Sequence, residues 1–302
     1  MMIARKYLYL IALAREKHFG RAALACHISP STLSAAISDL EAELGVAVVE
    51  RGKNFGGLTP EGQCVVDYAH RMAAGEEGMR QELAKLRHGL SGQLRLGVIP
   101  TALTVVASLT SAFARRYPLV TTEVLSLSTY QIVSRIHDFE LDAGIIYVES
   151  ALASHQLMTV PLWYESLILL TPSGGPFEGQ DSVNWLEVRQ VPLCMLTKDM
   201  QNRKTIDKVF AQLDCKVTPT IETNSIVSML AHVSSGAWSA ILPRSVFDLI
   251  GIPAGVRVLP LTEPNVVWAT GLVIERREPK PPMLEALLVV ANNLSDSFVK
   301  DE

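Results

Sequence analysis

The sequence predicts a mainly α winged helix-turn-helix head with a long linker helix, followed by an α/β body of two lobes. Three observations carry this. Residues 21–51 read as two short helices across a tight turn, and a strand, a glycine-rich basic tip and a returning strand follow. Residues 60–90 place apolar side chains at heptad steps. From residue 91 onward, strand-like runs alternate with helix-like ones, the signature of βαβ units on a largely parallel sheet.

Tyr7, Leu10, Ile11 and Ala14 lie on one face of a first amphipathic helix, 4–17. An Ala-rich helix follows from Arg21, then the turn Cys26-His27-Ile28. The Ser29 hydroxyl can accept from a free N–H of the next helix, and Pro30 fits its first position, where no N–H is needed. Leu33, Ile37, Leu40 and Leu44 then recur at helical spacing, and Gly45 supplies a left-handed stop. This second helix has a polar outer face (Ser31, Thr32, Ser34, Ser38) and the right size for a DNA major groove. Val46–Val49, the tip 51–57 and Leu58-Thr59 form the wing, where Arg51 and Lys53 are placed to meet phosphates.

Thr59-Pro60-Glu61 opens the long helix with a cap, a first-turn proline and an acid at the positive helix end. Running to about His88, it would be ~42 Å long. Its stripe of Val65, Ala69, Met72, Met79, Leu83, Leu86 and Leu90 calls for a partner, expected to be the same helix of a second subunit.

At 302 residues the chain has room for two or three domains. Its net charge of −4 is unevenly spread. Residues 1–89 hold 11 Lys+Arg against 10 Asp+Glu, whereas 90–302 hold 16 against 21. Arg5, Lys6, Arg15, Lys17 and Arg21 concentrate positive charge at the start, which suits a DNA-binding head on a body with another task. Arg15, Glu16 and Lys17 interrupt any signal-peptide core, and no run reaches the ~18–20 apolar residues that span a bilayer. A cytoplasmic protein without membrane partner is expected. Cys26, Cys64, Cys194 and Cys215 show no Cys-x-x-Cys pair and no zinc spacing, so neither metal nor cofactor is expected, and the thiols read as reduced.

The head resembles that of the LysR-type transcriptional regulators. The matching residues are Ala22-Ala23, Ser29, Leu33-Ser34, Ile37, Leu40-Glu41, Leu44-Gly45, Glu50-Arg51 and Leu58-Thr59-Pro60-Glu61-Gly62. The resemblance implies a winged helix-turn-helix on double-stranded promoter DNA and a dimer made by the long helix, with a homotetramer favoured. Arg21, Ser29, Ser31, Thr32, Ser34, Ser38, Arg51 and Lys53 are its candidate DNA-binding residues. Family members usually carry Gln, Arg or Lys on the outer face of the recognition helix. Here Pro30, Ala35, Ala36 and Ser38 stand there, which implies weaker base readout and more reliance on DNA shape.

In the body, strands are expected at 94–98, 120–125 and 143–147, with helices at 103–116 and 130–138 between them. The pattern pauses at Pro161-Leu162-Trp163-Tyr164. A second set follows: strands 166–171, 191–196, 217–221 and 239–242, with helices 202–213 and 225–235. A strand at 266–274 can return to the first lobe, and Pro281-Pro282 opens a last helix. Leu94-Arg95-Leu96-Gly97, Tyr117-Pro118, Leu141-Asp142-Ala143, Gly236 and Leu242-Pro243 resemble the LysR effector domain, which implies a periplasmic-binding-protein-like fold. The expected domains are 1–59, the DNA-binding head; 60–89, the linker and dimerisation helix; and 90–302, the effector domain. Its lobe I would comprise 91–162 and 270–302, and its lobe II 163–269. Where the family often has Gly-x-Gly, this chain has Gly236-Ala237-Trp238, so Trp238 either narrows the cleft or joins the core.

Ligands of open α/β sheets bind beyond the carboxyl ends of strands, where helix N-termini offer free N–H groups. Junctions of this kind occur at Ile99-Pro100-Thr101, Ser128-Thr129, Gln201-Asn202 and Thr223-Asn224-Ser225, with Tyr147 ending a strand toward the same crevice. The resemblance puts ligand contacts there, so Thr101, Ser128, Thr129, Tyr147, Gln201, Asn202 and Ser225 are the candidate effector-binding residues. Hydroxyls and amides suggest a small polar or anionic effector, with Arg203 the nearest countercharge. The function expected is a LysR-type regulator whose promoter binding responds to that effector. An enzyme on the same fold would need a nucleophile with a paired base or clustered carboxylates, and the junctions offer no such catalytic set. A non-specific architectural DNA binder would not need the acidic α/β body.

Overall fold

The computed structural model describes residues 4–50, 55–150 and 156–298, with side chains to Leu294. They fall into two compact units, 1–89 and 90–302.

The first unit contains α1 (Arg5–Glu16), α2 (Phe19–Ala25), α3 (Pro30–Leu44) and α4 (Pro60–His88). Leu10 and Leu13, Ala22 and Ala23, and Leu33, Ile37 and Leu40 are the buried stripes of the first three helices, and they meet in one core. The caps are made as the sequence suggests. Ser29 Oγ accepts from Thr32 N at 3.1 Å, and Gly45 ends α3 at φ 69°. Thr59 Oγ1 accepts from Gly62 N at 2.9 Å. The wing is a minimal pair: Val49 bridges Leu58, and Glu50 N donates to Gly57 O at 3.0 Å. The buried Glu41 on α3 fixes its root, since Oε1 accepts from both Val48 N and Val49 N. Arg51 and Lys53 lie outside the described residues.

Along α4, Val66 and Ala69 are buried, whereas Met72, Met79, Leu83 and Leu86 are 40–75 % exposed. The expected seam needs one correction. Leu90 follows the helix and is buried in the core of the second unit.

The second unit contains β1 (Gly92–Val98), α5 (Val106–Arg116), β2 (Val120–Ser126), α6 (Thr129–His137), β3 (Ala143–Tyr147) and β4 (Leu157–Pro172). There follow β5 (Val183–Asn184), α7 (Trp185–Val188), β6 (Cys194–Leu196), α8 (Gln201–Gln212), β7 (Ile221–Thr223) and α9 (Ile226–Ser234). β8 (Ala240–Pro243), β9 (Val256–Thr262), β10 (Val267–Glu275) and α10 (Pro282–Phe298) complete it. Single turns of 3-10 helix follow β1 (Pro100–Ala102) and β8 (Arg244–Phe247).

The pause expected at Pro161–Tyr164 is absent: β4 is one strand of 16 residues. Its first part, through Ser166, pairs with β10, which pairs in turn with β3, and β3 with β1 and β1 with β2. Its last part, from Leu167, pairs with β8 on one side and β9 on the other. One strand therefore serves both lobes. Pro161 is tolerated because the β4–β10 register shifts there, between Thr270 and Gly271, and a proline lacking an N–H fits such a bulge. A Cβ on Gly271 would stand 2.4 Å from Val160 O, so only glycine allows this approach. Alternate residues of β4 feed different cores. Leu167 and Leu169 join Trp185 and Phe210, whereas Ile168 and Leu170 join Met229 and Val233.

Gly62 is the tightest backbone contact of the head, since an added Cβ would stand 1.9 Å from Val48 O. Gly62→Ala should destabilise the head by about 1–3 kcal/mol. Gly75→Ala, on the same helix with open space around it, should be neutral or slightly stabilising. Calorimetric melting of both variants checks this, and identical melting would contradict the packing described.

Candidate functional sites

On the head, Ser31, Ser34 and Ser38 project from α3 into solvent with Ala35, while Leu33, Ile37 and Leu40 face inward. At the helix start the hydroxyls bond one another: Ser29 Oγ lies 2.8 Å from both Ser31 Oγ and Thr32 Oγ1. The exposed face of α3 thus offers short hydroxyls and no long amide or guanidinium group. Arg21 on α2 turns back to α1, where its Nη2 donates to Glu16 O at 2.6 Å.

In the second unit, the carboxyl ends of β1 and β3 and the start of α8 converge. Thr101, in the 3-10 turn after β1, is 1 % exposed, and its Oγ1 lies 3.2 Å from the hydroxyl of Tyr147 at the end of β3. Asn202, in the first turn of α8, is 4 % exposed, and neither its Oδ1 nor its Nδ2 completes a hydrogen bond, although the Tyr147 hydroxyl lies beside it. The N-cap position of α8 is Met200, which gives no side-chain cap to the helix start. Thr101, Thr129, Gln201 and Asn202 line one enclosed space of about 10 Å³, together with Ile99, Pro100, Leu196 and Met200. That is room for about one water molecule. The Thr129 hydroxyl is buried there without a partner.

Two candidates are used otherwise. Ser128 N-caps α6 in a capping box with Gln131, and Ser225 caps α9 by accepting from Ser228 N at 3.3 Å. Neither lines the space. Arg203 is not a countercharge for it. Its guanidinium is bound by Asp207, Leu196 O and Glu222, and it lines a separate open cavity of about 800 Å³. Trp238 packs in the core beside α9, edge-on to His232 at 5.8 Å. No thiol lines the enclosed space.

Sequence inspection misses what lies behind Tyr147. Tyr147, Thr270 and Trp163 are lateral neighbours on β3, β10 and β4, and Trp268 pairs with Glu165 one step along. By strand alternation all five share one face of the sheet. Glu165 is 2 % exposed; its Oε1 accepts from Trp163 Nε1 at 2.6 Å and from Ser245 Oγ at 2.9 Å. Glu165 Oε2, Thr270 Oγ1 and Trp268 Nε1 are buried without a completed hydrogen bond. Burial pushes the Glu165 carboxyl up to about 7, while the bonds from Trp163 and Ser245 and the nearby Thr270 hydroxyl pull the other way and the Asp248 charge adds to the rise. Burial and then the Glu165 charge push the Tyr147 hydroxyl far upward. The one sequence sign of this cluster is a carboxylate inside an apolar strand run.

Comparison with known proteins matches this architecture. The family description "LysR substrate binding domain" covers residues 87–293, and "Bacterial regulatory helix-turn-helix protein, lysR family" covers residues 4–63. A probable hydrogen peroxide-inducible genes activator of Mycobacterium xenopi is 34 % identical, over 57 % of this chain and 90 % of its own. The DNA-binding transcriptional dual regulator OxyR of Escherichia coli (strain K12) is 25 % identical, over 92 % and 91 %. Among solved structures, full-length OxyR C199D from Pseudomonas aeruginosa superposes with a TM-score of 0.74. It is 27 % identical and covers 97 % of this chain and 95 % of its own.

The Glu165 carboxyl gives a stability test with a definite sign. In the unfolded chain it titrates near 4.5 and in the folded one near 7, so between these values the folded state binds more protons. Stability should therefore fall as pH rises from about 4.5 to about 7, by about 3 kcal/mol in all, and level off above. Denaturant titrations of wild type and Glu165→Gln across this range check it, since the variant should lack that part of the slope.

Proposed function

This chain belongs to the LysR family of bacterial transcriptional regulators, and from that premise we propose a regulator whose promoter binding is set by a small polar effector held between Thr101, Thr129, Gln201 and Asn202. The observation that carries the proposal is the Asn202 amide. A buried amide that completes no hydrogen bond, with only the Tyr147 hydroxyl beside it, costs free energy unless something bonds it. The uncapped start of α8 and the residues Thr101 and Thr129 lie around the same space, and its small size fits a molecule of few atoms. The Mycobacterium xenopi relative is described as a probable hydrogen peroxide-inducible genes activator. With no thiol at this site, the proposed effector binds reversibly by hydrogen bonds rather than by oxidising a cysteine. Tyr147 stands behind Thr101 as a supporting contact, and Ser128 and Ser225 act as helix caps.

On DNA, α3 is proposed to enter the major groove with Ser29, Ser31, Thr32, Ser34 and Ser38, while Arg21, Arg51 and Lys53 serve phosphates. Short hydroxyls make few bidentate base contacts, so DNA shape carries much of the selectivity. The half-exposed stripe Met72, Met79, Leu83 and Leu86 is proposed as a dimer seam, with two dimers forming a tetramer on promoter DNA in the cytoplasm.

Three measurements test these readings. Thermal shift of the full chain against a panel of small anions, amides, polyols and hydrogen peroxide should give at least one ligand, adding about 2.7 kcal/mol at 100 times its dissociation constant. Thr101→Val should abolish that shift; an undiminished shift would move the site elsewhere. Replacing both Met79 and Leu83 by Glu should halve the solution mass of the dimer, and an unchanged mass rules out the seam. Arg51→Ala should weaken binding about equally on all DNA sequences, whereas a changed sequence preference contradicts a phosphate role.

A further inference from the structure

The effector reading leaves one buried ionisable group unused. Glu165 lies on β4 just before that strand passes from β10 to β8 and β9. Its Oε1 holds Trp163 of the same strand and Ser245 of the 3-10 turn after β8. The carbonyl of Ser245 in turn accepts from Thr104 Oγ1, beside the 3-10 turn after β1, at 3.5 Å. Glu165, Ser245 and Thr104 therefore tie the shared strand to both lobes. The other carboxylate oxygen, Oε2, has no completed bond, although Thr270 lies beside the carboxyl.

We propose that Glu165 is a second regulatory site whose ligand is the proton: the neutral carboxyl holds the two lobes together at the crossing, and the ionised one loosens them. The physical reason is solvation. A neutral carboxyl can keep the Trp163 and Ser245 bonds with its own proton on Oε2. An ionised one places charge on an atom whose only neighbouring donor, the Thr270 hydroxyl, completes no bond to it, in a setting that excludes water. The charge is relieved only if the joint opens enough to hydrate it. The ionisable groups facing Glu165 are Asp248, at the end of the 3-10 turn after β8, and Tyr147, at the end of β3. The neighbours from β10 and β4, Trp268, Thr270 and Trp163, carry no charge. Tyr147 stays protonated, since burial drives its hydroxyl upward, and Asp248 acts by repulsion that favours neutral Glu165. With the carboxyl near 7, its ionised fraction rises from roughly one tenth at pH 6 to nine tenths at pH 8. The site therefore answers to pH with no small molecule in the cleft, and stands apart from the effector reading.

The test uses the full chain labelled with 5-fluorotryptophan, with the Trp163 resonance assigned by its loss in Trp163→Phe. That resonance should titrate with a midpoint near 7. Glu165→Gln, which keeps the acceptor for Trp163 and Ser245, should abolish the titration. Asp248→Asn should lower the midpoint and serves as an independent variant. Lobe movement is read from two spin labels, one per lobe, at Tyr130→Cys and Val227→Cys, which are exposed positions on α6 and α9, with Cys64→Ser removing the exposed native thiol. The label distance should change between pH 6 and 8 in the parent chain and stay fixed when Glu165→Gln is added. A Trp163 resonance that does not move between pH 6 and 8, a titration that survives Glu165→Gln, or a label distance indifferent to pH would each overturn the proposal.

Discussion

The body depends on one shared strand. Because β4 runs unbroken for 16 residues, pairing first with β10 and then with β8 and β9, two sheets that could be separate domains are one body. Gly271 makes this possible by letting the backbone of β10 press against Val160. The bulge at that point shifts the register and gives Pro161 a place where its missing N–H is not needed. The rest follows from geometry. Residues at the crossing lie between lobes, out of water, and face the carboxyl ends of strands where ligands meet α/β sheets. Apolar side chains would fill that position to native density. This chain puts Tyr147, Glu165, Asn202, Trp268 and Thr270 there instead.

Such polar groups are costly when dry and unpaired, so their clustering is informative. One core runs through both lobes and takes in Leu167 and Leu169, and a second lies on the other face of the shared strand with Ile168 and Leu170. Unmet hydrogen-bonding capacity gathers at the joint. A joint of that kind can shift its balance when a small molecule or a proton meets the need. In the head the opposite holds: Leu33, Ile37 and Leu40 fix α3, Glu41 fixes the wing root, and the exposed face is left to short hydroxyls.

Much of this was legible in the sequence, because local rules decided it. Ser29-Pro30 and Thr59-Pro60 announce helix starts whose capping bonds form as the residue types suggest, and Gly45 ends α3 in the left-handed region. The strands of the first lobe show by alternation. What failed depended on partners distant in the chain. Pro161 reads as a break because the strand that accommodates it lies about 110 residues downstream, at Gly271. β9 escapes notice because Pro260 interrupts its run, and β7 begins at Ile221 rather than at 217. Arg203 looks like a ligand's countercharge until Asp207 and Glu222 claim it. Ser128 and Ser225 show that a hydroxyl at a helix start is first of all a cap. The Glu165 cluster draws on residues 147 to 270 and becomes visible only when β3, β10 and β4 lie side by side.

The proposed ligand site rests on the polar atoms around Asn202 that complete no hydrogen bond. A crystal structure of the full chain at atomic resolution tests it most directly, through the density between Thr101, Thr129, Gln201 and Asn202. The expected result is a small polar molecule bonded to the Asn202 amide. A dry space, with that amide turned onto a protein partner, would contradict it.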